Sequence, residues 1–335
     1  MNGSYGNFTA DSDYPLWLTD TQITAMTVLY SITMICALAG NSLLIFIVTR
    51  RHETRRLTSF LFVNMAIADL IITLTVLSAT LAMPYTDSKW LPGVLGQITC
   101  KAVYAVFHVS ITASIFSLTL MALDRFLAVV FPMSRFPSFR QVKVLSSLIW
   151  MSSVILMIPA GVLWTVRELE GIGPYCGPMF EEVFGDFQKG VTGFYTYLFL
   201  TTYLIPLLTI SILYCLVCCN LWLQKLPGEK SLRDVQKRRH EVKKKIVRTL
   251  VIVTAAFAVC WLPTNTYHLI LAFNVELHSS LPRFMMSILF WCGHANSAIN
   301  PWLYMLLTNQ LRKCLRDLVR TSRSKSIFWE RETYV

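Results

Sequence analysis

The sequence predicts an all-α membrane protein: a bundle of seven transmembrane helices, followed by an amphipathic helix lying on the membrane interface. Three observations carry this. Of 335 residues, 54% are hydrophobic and only 15% are charged, well below the charge of a soluble domain. Seven apolar segments, at 22–49, 58–84, 98–131, 142–166, 191–223, 246–273 and 283–307, reach the roughly 20 residues that cross a bilayer. Basic residues collect in alternate connections: 25 of the 30 Lys and Arg fall in one set of loops and the C-terminal tail. The segments have helical length and lack the short alternating pattern of an outer-membrane barrel.

The charge bias also gives the orientation. Arg50, Arg51, Arg55 and Arg56, then Arg135, Arg140 and Lys143, then the run from Lys225 to Arg248 lie on one side. Excess Lys and Arg mark the cytosol. The N-terminus is then extracellular and the C-terminus cytoplasmic, in a multi-pass protein of the plasma membrane. The expected organisation is an outer tail over 1–21, a seven-helix domain over 22–307, and an amphipathic helix with a cytoplasmic tail over 308–335. The net charge of +11 then follows from topology and anionic membrane lipid, and no nucleic-acid partner is expected.

The elements follow in order. The outer tail carries two glycosylation sequons, at Asn2 and Asn7. It lacks a basic start followed by a short apolar core, so the first helix is expected to act as signal anchor. The first helix contains Gly40-Asn41. The second contains Met65-Ala66-Ile67-Ala68-Asp69, and a carboxylate at mid-span is costly unless it meets a cation, a proton or a polar nest. The third runs from Cys100 to Asp124-Arg125-Phe126 at its inner end, and Phe131-Pro132-Met133 follows. The fourth holds Trp150 and Pro159.

The outer loop over 167–190 has Gly171, Gly173, Pro174, Gly177 and Pro178 among acidic residues. That turn chemistry predicts a hairpin-like lid. Seven of the nine cysteines are best read as small packing residues or lie near the C-terminus. Cys100 and Cys176 both face an oxidising compartment, and a bridge between them would pin the lid across the mouth of the bundle.

The fifth helix has Pro206 and Tyr214, and the basic inner loop over 224–245 opens with Pro227-Gly228. The sixth has Phe257 to Pro263, including Trp261. The seventh closes with Asn296-Ser297-Ala298-Ile299-Asn300-Pro301-Trp302-Leu303-Tyr304. Proline frees a backbone carbonyl and permits a bend. Beyond it, Leu311, Leu315 and Leu318 recur at helical spacing among basic residues, as in a helix lying on the inner leaflet. Cys314 there is a palmitoylation candidate. Thr321, Ser322, Ser324 and Ser326 are candidate kinase sites, and the ending Glu332-Thr333-Tyr334-Val335 fits a PDZ-domain ligand through Thr333 and Val335. No Gly-rich phosphate loop, Cys/His metal cluster or Ser/His/Asp set stands in a fitting context, so no enzymatic activity is expected. A transporter or channel would need several intramembrane charges or a repeat of halves, and only Asp69 stands clearly at mid-span.

These marks, in this order and spacing, resemble those of rhodopsin-like (class A) G-protein-coupled receptors over about residues 22–318. The resemblance implies a receptor that binds an extracellular ligand and activates a heterotrimeric G protein, with a receptor kinase and arrestin acting on its tail. It implies an allosteric sodium ion at Asp69, Ser114, Asn296, Ser297 and Asn300, and no other cofactor. It makes Asp124 the restraint on Arg125 and Met133 a G-protein contact. Ile115, Pro206 and Phe257 become a packing switch beneath the ligand pocket, Trp261 the residue above the hinge of the sixth helix, and Tyr304 the residue that meets Arg125 and Tyr214 on activation. An acidic residue at the base of the sixth helix restrains the arginine in many relatives; Lys243 stands there, so that restraint is expected to be missing.

The resemblance also constrains the ligand. The retinal lysine of opsins would fall at His294 and the ammonium-binding aspartate of amine receptors at Phe107. The expected pocket is formed by Phe107, His108, Tyr195, Thr264, Asn265, His268, Met286 and Phe290, mixing aromatic and neutral polar groups. Glu181 and Glu182 belong to an outer face with ten acids against five bases, which would steer a cationic partner. Together these resemble receptors for amidated neuropeptides. A small lipid or other organic ligand is the alternative.

Overall fold

The structure is a computed structural model and describes residues 18–50, 57–86, 88–131, 141–169, 173–223, 230–318 and 320, with no side-chain detail for 223 and 230–240. Asn2, Asn7, Met133, Thr333 and Val335 lie outside the described residues. So do the tail serines and the threonine at 321.

Helix α1 is Asp20–Arg50. Helix α2 spans Leu57–Tyr85 as four joined pieces: an α-helix to Ile72, a π turn over Thr73–Leu77, a short α-helix over Ser78–Ala82, and a 3₁₀ turn over Met83–Tyr85 that contains Pro84. Helix α3 is Gly93–Val130. Helix α4 is Val142–Leu156, broken at Met157 before Ile158–Leu163 carries Pro159 at its start. Strands β1, Trp164–Leu169, and β2, Gly173–Pro178, then form an antiparallel hairpin. A one-turn helix, Phe180–Phe184, leads to α5, which comprises Phe187–Leu198, a π turn over Phe199–Leu204, and Ile205–Leu223. Helix α6 is Lys230–Phe273, and a short helix Val275–Ser280 precedes α7, Arg283–Leu307. Residues 309–318 form α8.

The seven expected spans are therefore α1 to α7, with differences at their ends. The fourth stops at Leu163 because the chain goes extended at Trp164. The sixth begins sixteen residues before the expected 246, in the basic segment expected as loop. Lys, Arg, Glu and Gln are good helix formers, so nothing local ends the helix there.

Packing is inverted relative to a soluble bundle. Asn41, Asp69, Ser110, Thr112, Asn296, Ser297 and Asn300 are buried, while Ile35, Met151, Ile155, Ile212 and Val259 are more than half exposed. A bilayer supplies the missing apolar neighbours. Small residues allow close approach where helices carry no long side chain. At Gly40 in α1, a Cβ would lie 2.7 Å from Pro301 Cγ and 3.0 Å from the Trp302 indole nitrogen in α7. Asn41 beside it donates to the Ser297 carbonyl at 3.0 Å, which ties the same two helices. At the other end of α7, α8 turns away from Thr308 and tucks Leu311 and Cys314 against the bundle. Arg312, Lys313 and Arg316 stay exposed, as the sequence pattern predicts.

Candidate functional site

The hairpin covers one end of the bundle. Cys176 of β2 is bonded to Cys100 at the top of α3, with their Cα atoms 5.7 Å apart, which is ordinary disulfide spacing. A second anchor comes from Gln97, one turn earlier on α3. Its Nε2 donates to the Val166 carbonyl at 2.9 Å, while its Oε1 accepts from Thr165 Oγ1 at 2.9 Å and from the Val166 amide at 3.2 Å. Trp90 supplies a third, its amide donating to the Pro174 carbonyl at 2.7 Å. Trp164 at the base of β1 stacks on Tyr104 with ring centroids 3.5 Å apart. The lid is thus fixed at both strands.

Beneath it lies an aromatic layer. Tyr195 of α5 stacks on His268 of α6 at 4.3 Å, and Phe290 of α7 meets the same imidazole edge-on at 5.5 Å. Tyr267 touches Phe290 at 5.0 Å, and its hydroxyl lies 3.9 Å from Met286 Sδ. Glu181 and Glu182 sit on the one-turn helix after the hairpin and are exposed. Glu182 is paired with Arg167 of β1 at 2.7 Å, whereas no ion pair involves Glu181 among the described residues. The short helix before α7 carries His278, whose imidazole is held below its ordinary pKa by burial and by Arg283 nearby.

Deeper still is a cavity of about 40 Å³. Phe107, His108, Thr264, Asn265 and His268 line it as expected, together with Ile111, Leu198, Thr202, Tyr203, Phe257 and Trp261. A water occupies about 10–15 Å³ on this scale, and drug-sized ligands need about 300–1,000 Å³. The cavity therefore accepts one side chain or a few waters, not a whole organic ligand. Its polar groups are largely committed: His108 Nδ1 to the Tyr104 carbonyl at 2.7 Å, Asn265 Nδ2 to the Trp261 carbonyl at 2.9 Å, and Thr264 Oγ1 to the Leu289 carbonyl at 2.9 Å. The Trp261 indole N–H is buried without an acceptor. Gly293 lets α7 close on this floor, since a Cβ there would lie 2.8 Å from Thr264 Oγ1 and 3.0 Å from two ring carbons of Trp261. His294 is bonded to Tyr30 of α1 at 3.0 Å.

Asp69 stands at the centre of the bundle, 1% exposed. Its carboxylate accepts from Ser297 Oγ at 2.9 Å and Asn300 Nδ2 at 3.2 Å. Ser114 Oγ, Asn296 Oδ1 and Asn300 Oδ1 are buried and make no hydrogen bond. They sit on α3 and α7, both packed against α2. A carboxylate with spare oxygen acceptors is a donor set that fits a hard cation. The π turn of α2 begins four residues after Asp69, where Thr73 Oγ1 donates to the Asp69 carbonyl at 2.6 Å. Such turns recur at functional positions.

At the opposite end from the hairpin, Arg125 of α3 donates to Asp124 at 2.5 Å and to Thr58 Oγ1 of α2 at 2.7 Å. Tyr304 is fully buried: it stacks on Phe62 with centroids 4.2 Å apart, and its hydroxyl faces Met65 Sδ at 3.5 Å. Tyr214 Oη is buried, with Thr254 of α6 and Arg125 as its polar neighbours. Among the described residues no hydrogen bond joins Arg125, Tyr214 and Tyr304: Arg125 is bonded to Asp124 and Thr58, and the Tyr304 hydroxyl to Met65. Ile115, Pro206 and Phe257 are all buried within the bundle. Lys243 is partly exposed at the base of α6; among the described residues, the ion pair of Arg125 is with Asp124.

Sequence reasoning missed several of these groups. Gln97, Thr58 and Phe62 act through partners 60 or more residues away or on another helix, and nothing in their local pattern separates them from ordinary packing or polar residues. The cavity residues Ile111 and Leu198 lie one turn, and Thr202 and Tyr203 two turns, from residues that were expected, so helical spacing from Phe107, His108 and Tyr195 could have found them.

Comparison with known proteins agrees with this geometry. The model of the 7 transmembrane receptor (rhodopsin family) matches residues 40–304. A substance-P receptor of Aquarana catesbeiana is 29% identical over 331 residues, covering 96% of this chain and 76% of that protein. An allatostatin-A receptor of Bombyx mori is 29% identical over 326 residues, covering 94% and 86%. A tachykinin-like peptides receptor of Drosophila melanogaster, 99D, is 25% identical over 291 residues, covering 85% and 55%. With the match running from the glycine of α1 to the tyrosine of α7 and taking in the motifs of all seven spans, the chain belongs to the rhodopsin family of seven-transmembrane receptors.

Proposed function

We propose that the chain is a receptor for an extracellular peptide, and that peptide binding activates a heterotrimeric G protein at the opposite face. The observation that carries the ligand class is the shape of the site. A cavity of about 40 Å³ lies under a layer of aromatic rings, which suits a ligand that inserts one terminal group and leaves the rest of its chain on the surface. The relatives named for substance P, allatostatin A and tachykinin-like peptides support the same reading. Glu181, exposed and in no ion pair among the described residues, is one carboxylate available to a cationic residue of the peptide.

The mechanism follows from two alternative packings. In the resting one, Arg125 is tied to Asp124 and Thr58, and Tyr304 is stored against Phe62. A ligand group in the cavity presses on Phe257 and Trp261, both of which line it. Pro263, inside α6, lets the half of α6 below it move without disturbing the half above. Outward movement of that half uncovers Arg125 and gives Tyr304 room to leave Phe62. The hairpin end is extracellular in this reading, and the Arg125 end cytoplasmic. Sodium on Asp69, Ser114, Asn296, Ser297 and Asn300 would add charge neutralisation that holds α2, α3 and α7 in the resting packing. A receptor kinase and arrestin act on the serines of the tail, Val335 offers its carboxylate to a PDZ domain, and Met133 meets the G protein.

The test is guanine-nucleotide exchange on a reconstituted G protein, driven by a library of amidated peptides. Exchange stimulated by a peptide and lost in Arg125→Ala supports the proposal. Stimulation by lipids or other small organic molecules, with none by peptides, would sink the ligand class; an agonist-driven ion current without exchange would sink the receptor mechanism.

A further inference from the structure

At mid-depth, a groove of about 280 Å³ opens between α3, α4 and α5. Phe116 and Thr119 form one wall, Leu156 another, and Thr201, Pro206 and Thr209 the third, with Ile205 at its edge. It shares no residue with the aromatic cavity. Both outer walls are irregular here: α4 breaks at Met157, directly after Leu156, and the π turn of α5 ends just before Pro206. The surrounding surface is apolar and exposed, with Val154, Ile155, Ile205, Leu208 and Ile212 all more than half accessible.

The polar groups of the groove are already used. Thr119 donates to the Ile115 carbonyl at 2.9 Å, Thr201 to the Tyr197 carbonyl at 2.7 Å, and Thr209 to the Ile205 carbonyl at 2.9 Å. The Leu156 carbonyl accepts from Tyr197 Oη at 2.6 Å, and Pro206 has no N–H. A polar ligand would lose its hydration there and gain nothing in return. The medium facing the groove is bilayer hydrocarbon, and an unfilled depression would forfeit the dispersion contacts of its lining.

The geometry points to a binding site for the acyl chain of a membrane phospholipid, entering sideways from the bilayer, whose occupancy holds the resting packing of Pro206. The link to activity is local. Pro206 is both a wall of the groove and a member of the buried switch with Ile115 and Phe257, and the Ile115 carbonyl is the acceptor for the groove residue Thr119. A chain lodged against Pro206 resists movement of α5 at that point. This second half rests on the receptor reading; the binding half does not.

The full-length protein is placed in nanodiscs containing a phospholipid with a photoreactive group at mid-chain. On the native chain, crosslinks mapped by mass spectrometry are expected at Thr119, Leu156 and 201–209, at least fivefold above those on the lipid-facing surface of α1 around Val28 and Ile35. Thr209→Trp, whose indole takes the place of the exchangeable chain and rests permanently against Pro206, is expected to lower that labelling at least fivefold and to lower agonist-free nucleotide exchange about twofold or more. Val28→Trp is expected to change neither. Labelling spread evenly over the lipid-facing surface overturns the site, as does labelling of the groove that Thr209→Trp leaves intact. If only a photoreactive sterol labels the groove, the acyl-chain assignment fails. Unchanged exchange with lost labelling overturns the coupling and leaves the site. The native-chain map needs no variant to fold.

Discussion

Gly293→Ala adds one methyl group at the point where α7 approaches the hinge of α6. Built on the backbone, the new Cβ lies 2.8 Å from Thr264 Oγ1 and 3.0 Å from Cε3 and Cζ3 of Trp261. Such distances are shorter than van der Waals contact. Thr264 is held by its bond to the Leu289 carbonyl, and Trp261 is packed between Phe107 and Phe257, so neither yields freely. Overpacking of this kind costs about 1–3 kcal/mol. Helix propensity works the other way and favours Ala over Gly by up to about 1 kcal/mol. In the proposed open state the half of α6 that carries Trp261 moves away from the bundle, so the net strain falls on the resting packing. A differential of 1–3 kcal/mol corresponds to about 5–150-fold in the open-to-resting ratio; helix propensity acts equally on both states and offsets only the loss of thermal stability. The assay is agonist-free nucleotide exchange alongside thermal unfolding in nanodiscs. Gly193→Ala is the control, since a Cβ there meets nothing within 4 Å, and it should be neutral or slightly stabilising. If Gly293→Ala behaves like Gly193→Ala in both measurements, the close approach does not restrain Trp261 and the reasoning is refuted.

Asp69→Asn should abolish any stabilisation by sodium; in the native chain, sodium at ten times its Kd should add about 1.4 kcal/mol, read as a higher unfolding midpoint in sodium than in choline chloride, and equal midpoints would exclude the ion. Thr58→Ala removes one of the two bonds restraining Arg125. Hydrogen bonds to charged groups contribute about 1.5–3 kcal/mol, but the arginine side chain is 22% exposed, so agonist-free exchange should rise only about two- to tenfold; no rise would assign the restraint to Asp124 alone. Gln97→Leu loses three hydrogen bonds to the hairpin while the disulfide stays, and a bound tracer peptide should dissociate roughly two- to tenfold faster; an unchanged off-rate would show that the disulfide suffices.

The seven spans were legible because hydrocarbon imposes length and polarity on each segment separately. Asp69 and the Asn296–Tyr304 cluster were legible for the same reason: polar groups in a span announce themselves. The pairing of Tyr304 with Phe62 was not, since an apolar residue on α2 carries no mark of which ring it stacks on. Nor was the second anchor of the lid. Gln97 stands three residues before Cys100 and could have served any neighbour until the fold placed Val166 beside it. The helical extension to Lys230 was missed for a different reason. Apolar content sets where a helix leaves the membrane, but propensity sets how far it continues, and the basic run after 230 contains no glycine or proline to break it.

That extension makes α6 a lever. From Pro263 to Lys230 the helix runs about 50 Å at 1.5 Å per residue, unbroken by glycine or proline. A bend of only about 10° at Pro263 carries the far tip through roughly 9 Å, while residues within one turn of the proline shift by about 1 Å. Small adjustments around Trp261, on the scale that a single inserted side chain can force, are thus amplified geometrically at the distal end. The stiffness of one uninterrupted helix converts a contact of a few ångströms into a displacement as wide as another helix.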